Sequence, residues 1–87
     1  VRLLWDDENL EHIARHNVEP WEVEEAIADR NRRKFDAYNV PFEKRRGFIG
    51  KTLDGRILVV VLVRREDSLR PFMARDANEK EKGWYKR

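Results

Sequence analysis

Seven consecutive apolar residues, Ile57-Leu-Val-Val-Val-Leu-Val63, lie between Arg56 and the pair Arg64-Arg65. No other segment constrains the fold as strongly. A run of this length and β-branched content reads as a strand, and its lack of alternation places it centrally, with both faces covered. It is far shorter than the about 20 apolar residues of a membrane-spanning helix. A strand so buried needs neighbours on both edges and a layer on each face. With 87 residues the chain has sequence for one such arrangement, a single domain over 1–87 with a modest core.

The flanking segments supply those neighbours. Asp54-Gly55, just before the run, is a strong hairpin signal, read as a turn with positive φ at both central residues. It joins the Arg56–Arg65 strand to an earlier one over Arg45–Leu53, where Gly47 and Gly50 mark bulges or close backbone approach. Arg33–Tyr38 alternates like a half-exposed strand, broken by Asn39-Val-Pro41. Glu66-Asp67-Ser68 turns the chain into a last strand, Leu69–Ala74, in which Pro71 cannot donate to a ladder and so implies one unpaired side.

Helical signals come before and after the strands. Leu3-Leu4-Trp5 is a short apolar opening with strand character. Asp6 or Asp7 can cap a helix whose Leu10, Ile13 and Ala14 share one face, and Asn17 suits the left-handed exit. Pro20 stands at a first helical position, followed by Glu22, Glu24 and Glu25 at the positive end of a second helix that buries Val23, Ala26 and Ile27. Asp76, with Glu79 three residues on, offers a cap for a final helix from Ala77 to about Tyr85. The pattern is an α+β domain built on an antiparallel meander.

Charge is divided unevenly along this order. Residues 1–30 carry nine acidic side chains against three basic, and residues 31–87 carry sixteen basic against eight acidic. A basic majority in one part of a small domain suits a surface for phosphates, unless the two halves pair across space as mixed surface ion pairs. Cysteine is absent, which excludes disulfides, thiolate metal sites and a cysteine nucleophile and fits a reducing cytosol. No signal-peptide pattern precedes Asp6-Asp7-Glu8, so a cytoplasmic protein is expected. His12 and His16 have a zinc-compatible spacing, but no third ligand is marked, and neither metal nor cofactor is expected.

Several segments in order resemble one family. They are Trp5-Asp6 opening a helix, His16-Asn17-Val18 closing it, Ile49-Gly50-Lys51-Thr52 before Asp54-Gly55-Arg56, the Leu58–Val61 run, and Ala74-Arg75 followed by Ala77, Glu81 and Tyr85. Together they resemble the BrnT-type toxins, the ribonuclease half of bacterial toxin–antitoxin pairs, from Trp5 to Tyr85. The resemblance implies a RelE-like fold with two N-terminal helices, a β-meander of about four strands and a short C-terminal helix. It also implies RNA as substrate and a ribbon-helix-helix antitoxin as partner, with the ribosome as a further candidate partner. Two positions depart from the family pattern: Asn17 replaces a common glycine, and Met73 stands where a small hydroxyl residue is usual. The latter leaves open an inactive or retuned member, an RNA- or protein-binding module on the same fold.

Metal-independent RNA cleavage uses the 2′-hydroxyl as nucleophile, so the protein must stabilise charge growing on the phosphate. Guanidinium groups match phosphate oxygens in a fixed fork and do this well. By the resemblance, Arg45 takes the place of a strand-opening arginine, Arg70 and Arg75 bracket the last strand, and Tyr85 ends the final helix. Arg45, Arg70 and Arg75 are expected as phosphate contacts. Tyr85 is a candidate for stacking or proton exchange, with a phenol that a cationic pocket would make more acidic. Strict alternation puts positions 70 and 75 on opposite faces of a strand. Glu81 could orient Arg75, act as a base or serve as a helix-surface partner, and Lys51, Arg65, Lys80 and Lys82 are candidate backbone-tracking cations. Trp84, beside Tyr85, is the tryptophan best placed to meet a base.

Overall fold

The computed structural model describes residues 3–36 and 45–87, and of Arg65 the backbone alone. The elements run α1 (Asp7–Ala14), α2 (Pro20–Ala28), β1 (Arg33–Asp36), β2 (Arg45–Lys51), β3 (Ile57–Arg65), β4 (Ser68–Asp76) and α3 (Glu79–Tyr85). The strands form an antiparallel meander in the order β1-β2-β3-β4. The apolar run is therefore internal, and every residue from Ile57 to Val63 is buried. The break expected at Asn39-Val-Pro41 lies outside the described residues.

The alternation of β3 feeds two cores. Leu58, Val60 and Leu62, with Phe48 of β2, pack against Ile13 of α1 and Val23 and Ala26 of α2. Ile57 and Val59, with Ile49 of β2, pack on the other face against Ala77 and Tyr85 at α3. Gly50 lets α2 lie directly on the sheet, since a Cβ there would stand 2.0 Å from the Ala26 carbonyl oxygen. Gly47 likewise leaves room for the Phe35 ring, so both glycines mark close approach, not bulges.

The N-terminal helices begin and end as their residues dictate. Asp6 caps α1, its carboxylate accepting from the Asn9 N–H at 2.8 Å while the Asn9 side chain accepts from the Asp6 N–H at 2.9 Å. Asn17 exits with φ 58°, and Pro20 opens α2. Arg56 then binds the pieces together. Its guanidinium donates to Asp76 at 2.7 and 3.1 Å, to Glu22 at 3.0 Å, and to the carbonyls of Asn17 and His16 at 2.8 and 3.2 Å.

Four local expectations are corrected. In the β2–β3 hairpin only Gly55 has positive φ, at 90°. The turn centres on Leu53-Asp54, closed by the Gly55 N–H to the Thr52 carbonyl at 3.0 Å, so Asp54 needs no left-handed conformation. The cap of α3 is Asn78, not Asp76, whose carboxylate is held by Arg56 instead. β4 is longer than expected and β2 shorter, ending at Lys51. Finally, β4 carries a bulge: Leu62 pairs with Pro71 and Val61 with Met73, leaving Phe72 as the extra residue. β4 is an edge strand of the meander, as Pro71 implied, although Leu3 makes a parallel bridge to Leu69 on its outer side.

Candidate functional site

The bulge at Phe72 resets the alternation of β4. Arg70 pairs with Val63 and Arg75 with Val59, two β3 positions of equal parity. Arg45 pairs with Val63 from the other side. The backbone positions of Arg45, Arg70 and Arg75 therefore share one face of the sheet, the face that α3 partly covers, and the opposite-face placement expected for 70 and 75 is overturned.

Their side chains do not converge on one pocket. The Arg70 guanidinium turns to the cap of α1, donating to Asp6 at 3.0 and 3.4 Å and to Glu8 at 3.1 Å. Asp6, hydrogen-bonded by the Asn9 N–H and by Arg70, is held below the usual carboxylate range. Arg75 makes a two-pronged pair with Glu81 at 2.9 and 2.8 Å and donates to the Asp76 carbonyl at 3.1 Å. Glu81 also accepts from the Asn78 N–H at 2.9 Å, so the glutamate that completes the α3 capping box with Asn78 also grips Arg75. This pairing lowers the pKa of Glu81 and raises that of Arg75. Arg45 lies over the Phe72 ring, 4.3 Å from its centroid.

Tyr85 is buried, and its hydroxyl donates to the Asp29 carboxylate at 2.5 Å. Burial and then this carboxylate push the phenol up to about 12, opposite to the acidification expected of a cationic pocket. Asp29 sits just past the end of α2. Burial opposes its ionisation, but Tyr85 and the N–H groups of Asn31 and Lys51, at 2.9 and 2.8 Å, hold its pKa below the usual value. Met73 packs at the edge of the same small core as Tyr85.

Of the remaining candidates, Lys51 is exposed at the end of β2, Lys80 is exposed on α3, and Lys82 pairs with Glu79 at 3.7 Å. The Arg65 side chain lies outside the described residues. The rings of His12 and His16 stand 6.4 Å apart, and His12 lies 6.1 Å from Phe72. Among the described residues no group of three or more His, Asp or Glu is gathered to hold a metal ion. No helix among them is long and apolar enough to cross a membrane.

Sequence reasoning missed one feature of this face. Asn31, Arg32, Arg33, Lys51, Tyr85, Lys86 and Arg87 line an open cleft beside α3. Its five cations come from three distant stretches of chain. The short basic runs Arg32-Arg33-Lys34 and Lys86-Arg87 were visible in the sequence. Their meeting was not, because it depends on the register of β1 and the seating of α3.

A meander with two helices on one side, a short helix on the other and arginines along the latter face defines a small α+β protein with a phosphate-compatible surface. The comparison with protein families sharpens this class. Residues 5–81 match the family described as "Ribonuclease toxin, BrnT, of type II toxin-antitoxin system", and the chain belongs to that family. A search of curated proteins finds no match.

Proposed function

We propose that the chain, as one toxin domain over 1–87, is a metal-independent endoribonuclease that cleaves mRNA in the cytoplasm and is silenced by a ribbon-helix-helix antitoxin. The observation that carries this reading is the bulge at Phe72, which sets Arg75 on the same face as Arg45. In the proposed reaction the ribose 2′-oxygen attacks the adjacent phosphorus and the bond to the 5′-oxygen breaks, giving a 2′,3′-cyclic phosphate and a 5′-hydroxyl whose proton comes from solvent water. Arg45 and Arg75 stabilise the charge that accumulates on the phosphate oxygens. Arg70, already paired with Asp6 and Glu8, is the less available of the three arginines.

Arg75 meets the substrate by exchanging partners. Its fork now holds the Glu81 carboxylate, and a phosphate presents the same two-oxygen pattern. When phosphate takes the fork, the main cause of the lowered Glu81 pKa is removed. Glu81 is then released beside the bound phosphate with its basicity restored, positioned to accept the 2′-hydroxyl proton. Tyr85 enters as a protonated donor that anchors α3, since a phenol near 12 is a poor base at neutral pH. Lys51, Lys80 and Lys82 extend the cationic surface along the RNA backbone.

A second reading, binding without chemistry, draws on the same contacts: Arg75 and Tyr85 are both engaged internally, and Met73 has no hydroxyl to offer. The deciding experiment is cleavage of a labelled RNA by the purified protein, with a chelator present and with and without ribosomes, beside Arg45→Ala/Arg75→Ala. Cleavage that disappears in the double variant supports the nuclease reading. Bound but intact RNA in every arm supports the binding module.

A further inference from the structure

The cleft beside α3 has a composition that the arginines of the proposed nuclease site do not explain. Arg33, Lys51, Lys86 and Arg87 meet there around Asn31 and Tyr85, while Arg32 at its edge turns its guanidinium over the Phe48 ring and donates to the Asp29 carbonyl. Arg15, Arg56, Arg70, Arg75 and Lys82 each have a carboxylate partner. Among the described residues, Arg33, Lys51, Lys86 and Arg87 have none within ion-pair distance. No carboxylate is among the residues that line the cleft, and the Asp29 carboxylate that Tyr85 reaches is occupied by three donors: the Tyr85 hydroxyl and two backbone N–H groups. Concentrating unpaired cations in a concavity raises the local potential and costs folding energy through self-repulsion, so the arrangement suits an anion supplied from outside.

What adjoins the cleft identifies the anion. Arg33 and Phe35 lie on one face of β1, two residues apart, and Phe35 meets the Trp84 ring at 6.1 Å with a 60° tilt. Trp84 keeps 37% of its surface exposed. Beyond it, Phe35, Trp84, Arg45 and Gly47 share a second groove at the opposite end of β2. From Lys51 to Arg45 the strand spans about 20 Å, the reach of a few extended nucleotides. Cations at both ends and an exposed indole between them form the pattern of a single-strand track, where backbone phosphates bind at the charges and a base stacks on the aromatic ring.

We infer that single-stranded RNA lies along the β1–β2 margin, with a phosphate in the Arg33/Lys51/Lys86/Arg87 cleft, a base on Trp84 and the next phosphates at Arg45. The inference rests on the RNA-directed reading above and makes α3 part of the binding surface. It requires Trp84 and the residues after Tyr85 to contact substrate.

The test measures fluorescence anisotropy of a short 2′-O-methyl single-stranded RNA, which lacks the nucleophile and stays intact. Binding constants are taken across a salt series for the parent, Lys86→Gln/Arg87→Gln, Trp84→Ala and a charge-matched control, Arg15→Gln/Arg64→Gln. Loss of the one phosphate contact in the cleft flattens the log K against log salt slope by about 0.7 in the cleft variant, and the control keeps the parent slope. Trp84→Ala weakens binding by about tenfold with the slope unchanged, because stacking carries no counterions. A parent that binds, with cleft and control variants alike in slope, overturns the track and leaves the cleft to an acidic protein segment. A parent that fails to bind the oligonucleotide even at low salt overturns the RNA-directed reading as well.

Discussion

Replacing Tyr85 with Phe isolates one hydrogen bond whose strength should depend on pH in a defined window. The Tyr85 phenol has an ordinary value of 10.0 when exposed and about 12 in the fold, raised by burial and by Asp29. Between those values the unfolded chain has released a proton that the native chain retains, so stability falls as pH rises. The contribution is fully present below pH 10 and lost by about pH 12. Two pKa steps correspond to about 2.7 kcal/mol. At neutral pH, Tyr85→Phe removes a hydrogen bond to a charged acceptor and should cost roughly 1.5–3 kcal/mol. The assay is urea unfolding of parent and variant at intervals from neutral pH to pH 12, with the tyrosinate absorbance difference between them assigning the titration. The stability gap should stay constant to pH 10 and close steadily above it. A gap independent of pH, or a Tyr85 that ionises at or below 10, would refute the burial-and-carboxylate account and return Tyr85 to the list of candidate bases.

Two further substitutions test the packing that positions the site. Gly50→Ala places a methyl group 2.0 Å from the Ala26 carbonyl oxygen, which only a backbone shift of α2 or β2 can relieve; a loss of about 3 kcal/mol in denaturant unfolding is expected. Arg56→Met strips the cation from the buried Glu22 and the donors from two helix-end carbonyls. It should cost about 3 kcal/mol by thermal or urea unfolding, and Glu22→Gln/Arg56→Met should recover part of that loss.

The parts of the fold set by local chemistry were legible in the sequence. The β3 run could only be a central strand, Pro20 and Asn17 fixed helix boundaries, and Asp54-Gly55 located the hairpin even though its turn geometry differed. The candidate site was less legible, because its decisive features are nonlocal. A single extra residue in β4 reversed the face of everything after Phe72, and Pro71, which marks either an edge strand or a bulge, did not say which. The partner of Tyr85 lies 56 positions away, and the direction of its pKa shift followed from that partner. Asn78 displaced Asp76 as a cap because Arg56, 20 positions earlier, had already engaged Asp76.

The uneven charge of the sequence finds a different use in space from a simple acidic back and basic front. The acids of the first half largely stitch the helices to the sheet. Asp6 and Glu8 hold Arg70, Glu22 holds Arg56, Glu25 accepts from the Leu53 N–H, and Asp29 accepts from Tyr85 and from the Lys51 N–H. Each of these contacts neutralises or occupies an acid, and two of them also remove a cation from the available surface. Among the described residues, four cations without a carboxylate partner, Arg33, Lys51, Lys86 and Arg87, meet at the β1–β2 margin and the end of α3. A phosphate chain approaching this protein therefore meets not its net charge of +2 but the residue of an internal cancellation, placed where Arg33, Lys51, Lys86 and Arg87 converge. The same cancellation makes the helices depend on Arg56 and Arg70 for their seating. Changing Arg56 or Arg70 should thus disturb folding before it disturbs binding, whereas changing Lys86 or Arg87 should affect binding alone.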